Sequence, residues 1–133
     1  MRELVTHFRP EEFACHDGTP YPGRWLPTRW TPLAAILEVI RGVVQQPIQI
    51  TSGYRTEAYN RSIGGARFSQ HVQGRAADIT TPRMTAAVLH ATILQLHTDG
   101  IIHLGGLGQY PRWVHIDTRP DTSRLIRWTG RRK

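Results

Sequence analysis

Apolar positions along the chain change their period several times, and each change marks an element. After Thr31-Pro32, a good cap and first helical residue, Leu33, Ile36, Leu37, Ile40 and Val43 or Val44 recur at helical spacing. They predict an amphipathic helix that ends near Gln46-Pro47. Ile48-Gln49-Ile50-Thr51 alternates and predicts a strand. Ser52-Gly53-Tyr54-Arg55-Thr56 then reads as a turn, and residues 57–62 as a short helix before Gly64-Gly65. Residues 77–80 predict the next strand. Met84, Val88, Ala91 and Leu94 mark a second main helix over residues 84–98, ended by Asp99-Gly100. Strands are expected over residues 101–104, 113–118 and 124–128, with Gly105-Gly106-Leu107-Gly108 separating the first two.

This order predicts an α+β fold in which a small, mainly antiparallel sheet carries a cleft and two main helices pack on its other face. No repeat or linker divides the chain, so a single domain over residues 1–133 is expected. Residues 17–32 hold four prolines and two glycines between aromatic residues and read as an irregular loop, anchored on the core by Tyr21, Trp25 and Trp30.

Composition narrows the function classes. A hydrophobic fraction of 39% and a charged fraction of 20% suit a globular chain, and no apolar stretch is long enough for a membrane span. The amino terminus lacks the pattern of a secretory signal, so synthesis in the cytoplasm is expected. Cys15 is the one cysteine, which excludes an internal disulfide and a multi-cysteine zinc site, and it reads as a small buried residue. Seventeen Lys and Arg against ten Asp and Glu give a net charge of +7, favouring polyanionic partners. The basic residues are spread along the chain and no nucleic-acid motif is present, so no specific nucleic-acid partner is expected. Arg131-Arg132-Lys133 reads as a solvated end.

The candidate chemistry sits in two segments, His71-Val72-Gln73-Gly74-Arg75-Ala76-Ala77-Asp78 and Trp113-Val114-His115-Ile116-Asp117. His71, Asp78 and His115 offer two imidazoles and a carboxylate to one divalent metal, leaving the open fourth position of a catalytic zinc site. On a helix His71 and Asp78 would lie two turns apart, roughly 10 Å, so the chain must fold back, and Gly74 permits the turn. A strand through the second segment puts Trp113, His115 and Asp117 on one face. The glycine run at 105–108 is a poor phosphate loop, because no Lys-Ser or Lys-Thr follows it; it reads as backbone approaching a cleft.

The signature Ser69-Gln70-His71-Val72-Gln73-Gly74-Arg75-Ala76-Ala77-Asp78, with Val114-His115-Ile116-Asp117 and Ser52-Gly53-Tyr54-Arg55-Thr56, resembles the zinc D-Ala-D-Ala peptidases, relatives of lysostaphin-type enzymes and hedgehog amino-terminal domains. With residues 8–15 and 105–110 the similarity covers nearly the whole chain and is greatest to short phage and bacterial peptidases. The resemblance implies zinc held by His71, Asp78 and His115, and substrate contacts from Arg55 and Ser69. It implies hydrolysis of an amide bond in peptidoglycan stem peptides, of D,D-carboxypeptidase or endopeptidase type. The partner is then peptidoglycan or a D-Ala-containing peptide, reached at the cell wall as a phage or lysis protein, and a monomer is expected. Family members place a catalytic acid three positions before the last His ligand, where this chain has Arg112. Asp117 is therefore the first choice of general base, with orientation of a ligand imidazole as its other role, and His103 is the weaker candidate. Two other readings stand beside this one: a non-catalytic zinc domain that binds cell wall or a partner, and a ferrous oxygenase, since two His and a carboxylate also make an iron triad.

Overall fold

The computed structural model describes residues 5–131. Its amino-terminal segment carries two 3-10 turns, Pro10–Phe13 and Gly23–Trp25, and a π-helical turn, Leu26–Trp30, that runs directly into helix α1, Thr31–Val44. Strand β1 (Gln49–Ser52), α2 (Glu57–Ser62), β2 (Ala76–Thr80), α3 (Ala86–Thr98), β3 (Gly106–Gln109), β4 (Val114–Asp117) and β5 (Ile126–Thr129) follow. The strands form one sheet in the order β1-β2-β4-β3-β5, antiparallel throughout except for the β3–β5 pair. The fold is α+β, as the order of periodicities implies.

Alternation along the central strands separates core from cleft. Ala77, Ile79, Leu107, Val114 and Ile116 are fully buried in one cluster with Leu33, Leu37 and Ile40 of α1 and Leu89 and Ile93 of α3. Because successive side chains point to opposite faces, Asp78 of β2 and His115 and Asp117 of β4 must share the other side. The loop before α1 is pinned on the core as expected: Trp30 meets Phe13 edge to face at 5.8 Å, and Trp25 meets Tyr21 and Tyr54. Cys15 is buried. Among the described residues no helix is long and apolar enough to cross a membrane.

Four local expectations are corrected. Residues 101–104 form no strand; the third strand is the glycine run itself, Gly106–Gln109. Leu104 turns inward to the core, its N–H donating to His97 Nδ1 at 3.1 Å. Thr31 lies inside the helical path, because the π-turn already supplies its first turn, and its hydroxyl donates to the Leu26 carbonyl. The buried face of α3 is Leu89, Ile93 and Leu96, not one centred on Val88, which is 52% exposed. That helix starts at the cap Thr85, whose hydroxyl accepts from the Val88 N–H.

A candidate metal centre

Register brings the ligands together. In the β2–β4 ladder Asp78 stands directly opposite His115, and on its other side it pairs with Ser52 across a bulge in β1. His71 arrives by a tight turn, in which the Gly74 N–H donates to the His71 carbonyl at 3.1 Å and the Arg75 N–H to Gln70 at 3.0 Å. Gly74 is required there twice over. Its φ is +70°, and a Cβ would sit 2.6 Å from the Trp25 ring and 2.9 Å from the Tyr21 hydroxyl. That hydroxyl donates to the Gly74 carbonyl, and burial pushes the Tyr21 phenol up, so it remains a donor at any physiological pH.

His71 Nε2 and His115 Nδ1 each lie 3.2 Å from Asp78 Oδ1, and the three ligand atoms all fall within 4.8 Å of one another. All three residues are buried. Their proton positions follow from the remaining contacts. His71 Nδ1 donates to the Gly53 carbonyl at 2.7 Å, leaving a lone pair on Nε2. His115 Nε2 donates to Asp117 Oδ2 at 2.7 Å, leaving a lone pair on Nδ1. Two imidazole lone pairs and a carboxylate oxygen thus converge on one point, a donor set that fits a divalent metal of borderline character.

The electrostatics agree. Burial pulls the His71 imidazole down toward its neutral, ligating form. Burial acts the same way on His115, but hydrogen bonds to Asp117 and Asp78 outweigh it and raise the net value, so protons compete with a cation for this ring as the pH falls. Burial opposes ionisation of Asp78, yet His71 and His115 hold it well below the usual carboxylate range.

A cleft of about 520 Å³ opens on these ligands. Arg55 and Ser69 both line it. The Arg55 guanidinium reaches Ser52 Oγ and Asn60 Oδ1 at 3.1 Å and Asp78 Oδ2 at 3.4 Å, which holds its plane beside the ligand carboxylate. Ser69 Oγ accepts from the His71 N–H at 3.1 Å. The opposite wall is aromatic: Tyr110 stacks on Trp113 at 4.7 Å, its hydroxyl accepts from Trp128 Nε1, and Trp128 lies 4.9 Å from the His115 ring.

A family model described as Peptidase M15 matches residues 6–117, which span every ligand and the Arg55 and Ser69 segments. The chain belongs to the Peptidase M15 family. No curated protein matches it. Peptidases of this family are metal-dependent hydrolases, and the His71–Asp78–His115 cluster is where this M15 member can hold the metal.

The M15 match ends at Asp117, for which two roles are expected, general base and support of a ligand imidazole, and its contacts suit the second. Asp117 is fully buried and does not line the cleft. Its oxygens are taken by His115 and by Arg119, which donates from Nε at 2.9 Å, from Nη2 at 2.7 Å and from its backbone N–H at 3.0 Å. Burial opposes its ionisation, but Arg119 and His115 keep it far below the usual range, which makes it a weak proton acceptor. It holds a ligand ring in one tautomer. His103 packs on His97 and is not among the residues that line the cleft either.

Sequence reasoning missed Arg119 and Trp128. Their trace is the glycine run of β3. A Cβ on Gly106 would meet Asp117 Oδ2 at 2.3 Å, and one on Gly108 would meet the Trp128 ring at 2.6 Å. The side chains that support His115 lie across a strand stripped of side chains to make room for them.

Proposed function

We propose that this chain hydrolyses an amide bond in peptidoglycan stem peptides, as a zinc peptidase of the D,D-carboxypeptidase or endopeptidase type. The observation that carries the reading is the open cleft ending on two imidazoles whose tautomers are already set for a cation, with a carboxylate between them. Zinc, when bound, supplies Lewis-acid polarisation of the scissile carbonyl and activation of water near neutral pH.

The chain's own residues supply the rest. Arg55, braced by Ser52 and Asn60, presents a planar cation beside the ligands and suits a substrate carboxylate or a developing oxyanion. Ser69 takes the His71 N–H on its oxygen, so its own hydroxyl proton is available to a substrate carbonyl. Tyr110, Trp113 and Trp128 form an apolar wall that excludes water from one side of the bond. The net charge of +7 favours residence on an anionic cell wall, with delivery by lysis or a phage particle.

A non-catalytic metal domain that binds cell wall is the second reading. It is favoured by one observation: among the described residues Asp78 is the sole carboxylate lining the cleft, and Arg112 stands exposed outside it. The hydrolytic reading therefore needs another proton acceptor in the cleft. His16 is the one imidazole there besides the ligands, with Nδ1 3.2 Å from the Tyr59 hydroxyl. Incubating the zinc-loaded protein with purified sacculi and following the release of new amino groups tests the reading. Binding without release favours the second.

A further inference from the structure

The cleft does not end at the ligands. Phe68, Ser69 and Gln70 form a partition, and on its far side lies a second cavity of about 800 Å³ that the proposed reaction leaves unused. We propose that this cavity binds a carboxylate on the same substrate, held by Arg61, Arg67 and Arg75, so that the enzyme selects peptides by charge at a distance from the cleaved bond. The identity of the substrate rests on the hydrolytic reading above.

Charge is the first support. Three guanidinium groups face this cavity against one carboxylate, Glu57. None of the three is ion-paired among the described residues, unlike Arg55 and Arg119 across the partition. Cations gathered in a concave site with low-dielectric walls focus their field and raise the local concentration of anions. Arginine also meets a carboxylate with two parallel hydrogen bonds, which adds direction to attraction. The cations are set on different supports. Arg61 lies in the last turn of helix α2, Arg67 lies over the Phe68 ring at 5.5 Å, and the Arg75 backbone is tied to Gln70 and Thr118 at 3.0 Å each.

The partition gives the second support, because it is built to be crossed by a peptide. Phe68 is 84% exposed, a large apolar ring held in the open where the two cavities meet. Beside it, the Gln70 side-chain oxygen is buried with no protein partner, an arrangement that costs free energy unless a donor arrives. A peptide laid over Phe68 covers that ring and runs past Gln70, which lines both cavities. One end then reaches the metal ligands and the other the three arginines. An apolar chain satisfies neither the charge nor the orphaned acceptor, and a neutral sugar leaves the charge unmet.

The test uses matched stem peptides that differ only in a free carboxylate or a carboxamide on a residue several positions away from the cleaved bond, beyond the reach of Arg55. Affinity is measured by calorimetry on the full chain without metal, and cleavage on the zinc-loaded protein. The wild type is expected to bind the carboxylate form about tenfold more tightly, about 1.4 kcal/mol. The double variant Arg61→Gln/Arg67→Gln, at two exposed positions where the fold tolerates change, is expected to bring the ratio near one, and Arg75→Gln to reduce it independently. Equal affinity of the wild type for the pair, or an unchanged ratio in all variants, overturns the proposal. Tighter binding of inorganic phosphate than of the carboxylate peptide assigns the cavity to phosphate and overturns it too. Discrimination in binding without cleavage of either peptide upholds the anion site and sinks the hydrolytic reading alone.

Discussion

His115 Nε2 and Asp117 Oδ2 stand 2.7 Å apart, and that contact decides which nitrogen of His115 faces the metal site. Removing the carboxylate charge with Asp117→Asn leaves Arg119 without its anion and loosens the hold on the ring. Zinc affinity is expected to fall by about 10 to 100-fold, with turnover largely recovered in excess metal. Turnover depressed by about two to four orders of magnitude at full zinc occupancy would instead make Asp117 the base.

With Asp117 turned away from the cleft, His16 carries the proton in the hydrolytic reading. His16→Ala is expected to lower kcat by about 10² to 10⁴ while zinc content stays at that of the wild type. His16 is exposed and outside the ligand set, so circular dichroism should register no loss of fold. Full activity in this variant would remove His16 from the mechanism.

Gly74→Ala forces a Cβ into the Trp25 ring at a left-handed backbone position. A loss of about 1–3 kcal/mol in urea unfolding of the metal-free protein is expected, together with weaker zinc binding, because the turn delivers His71. Gly42→Ala is the control. That glycine lies within α1, with nothing within 4 Å of an added Cβ, and its replacement should be neutral or stabilise by about 0.4–1 kcal/mol.

The loop beside the cleft carries a pH signature. The backbone N–H of Thr19, and after it hydroxyl and thiol donors including Thr56, lower Asp17 from 3.8 to about 2. Its depressed folded value means that its stabilisation is fully present above 3.8 and is lost as the pH falls through about 2. The stability difference between wild type and Asp17→Asn, measured by urea unfolding without metal, should therefore be constant near neutrality and shrink across that interval. A difference independent of pH would show that the Asp17 contacts do not persist in solution.

Much of this was legible in the sequence because ligand chemistry and strand alternation are local. His71, Asp78 and His115 are identifiable from donor type and spacing, and α1 from a period that tertiary packing leaves unchanged. The glycine strand was not legible. Gly106, Leu107 and Gly108 have little intrinsic preference for extended structure, and β3 exists because β4 and β5 pair with it on both sides. For the same reason the buried face of α3 was displaced: His90 and Thr92 interrupt its apolar stripe, and only contact with β3 and β4 selects Leu89, Ile93 and Leu96. Sequence reasoning left two roles for Asp117 because His115 and Asp117 share a face whether the carboxylate accepts a substrate proton or holds a ring. Arg119 favours the second, and its fold back onto Asp117 lies outside any repeating pattern.

The central claim is that His71, Asp78 and His115 hold a zinc ion that drives amide hydrolysis in stem peptides. Its most direct measurement is digestion of a defined peptidoglycan stem peptide by the zinc-loaded protein, by the same protein after chelation, and after zinc is restored, with the products identified by mass. Cleavage at one amide bond, abolished by the chelator, regained with zinc and absent in His71→Ala, Asp78→Ala and His115→Ala, is the predicted result. An intact peptide in every sample, from protein that binds one zinc per chain, would contradict it.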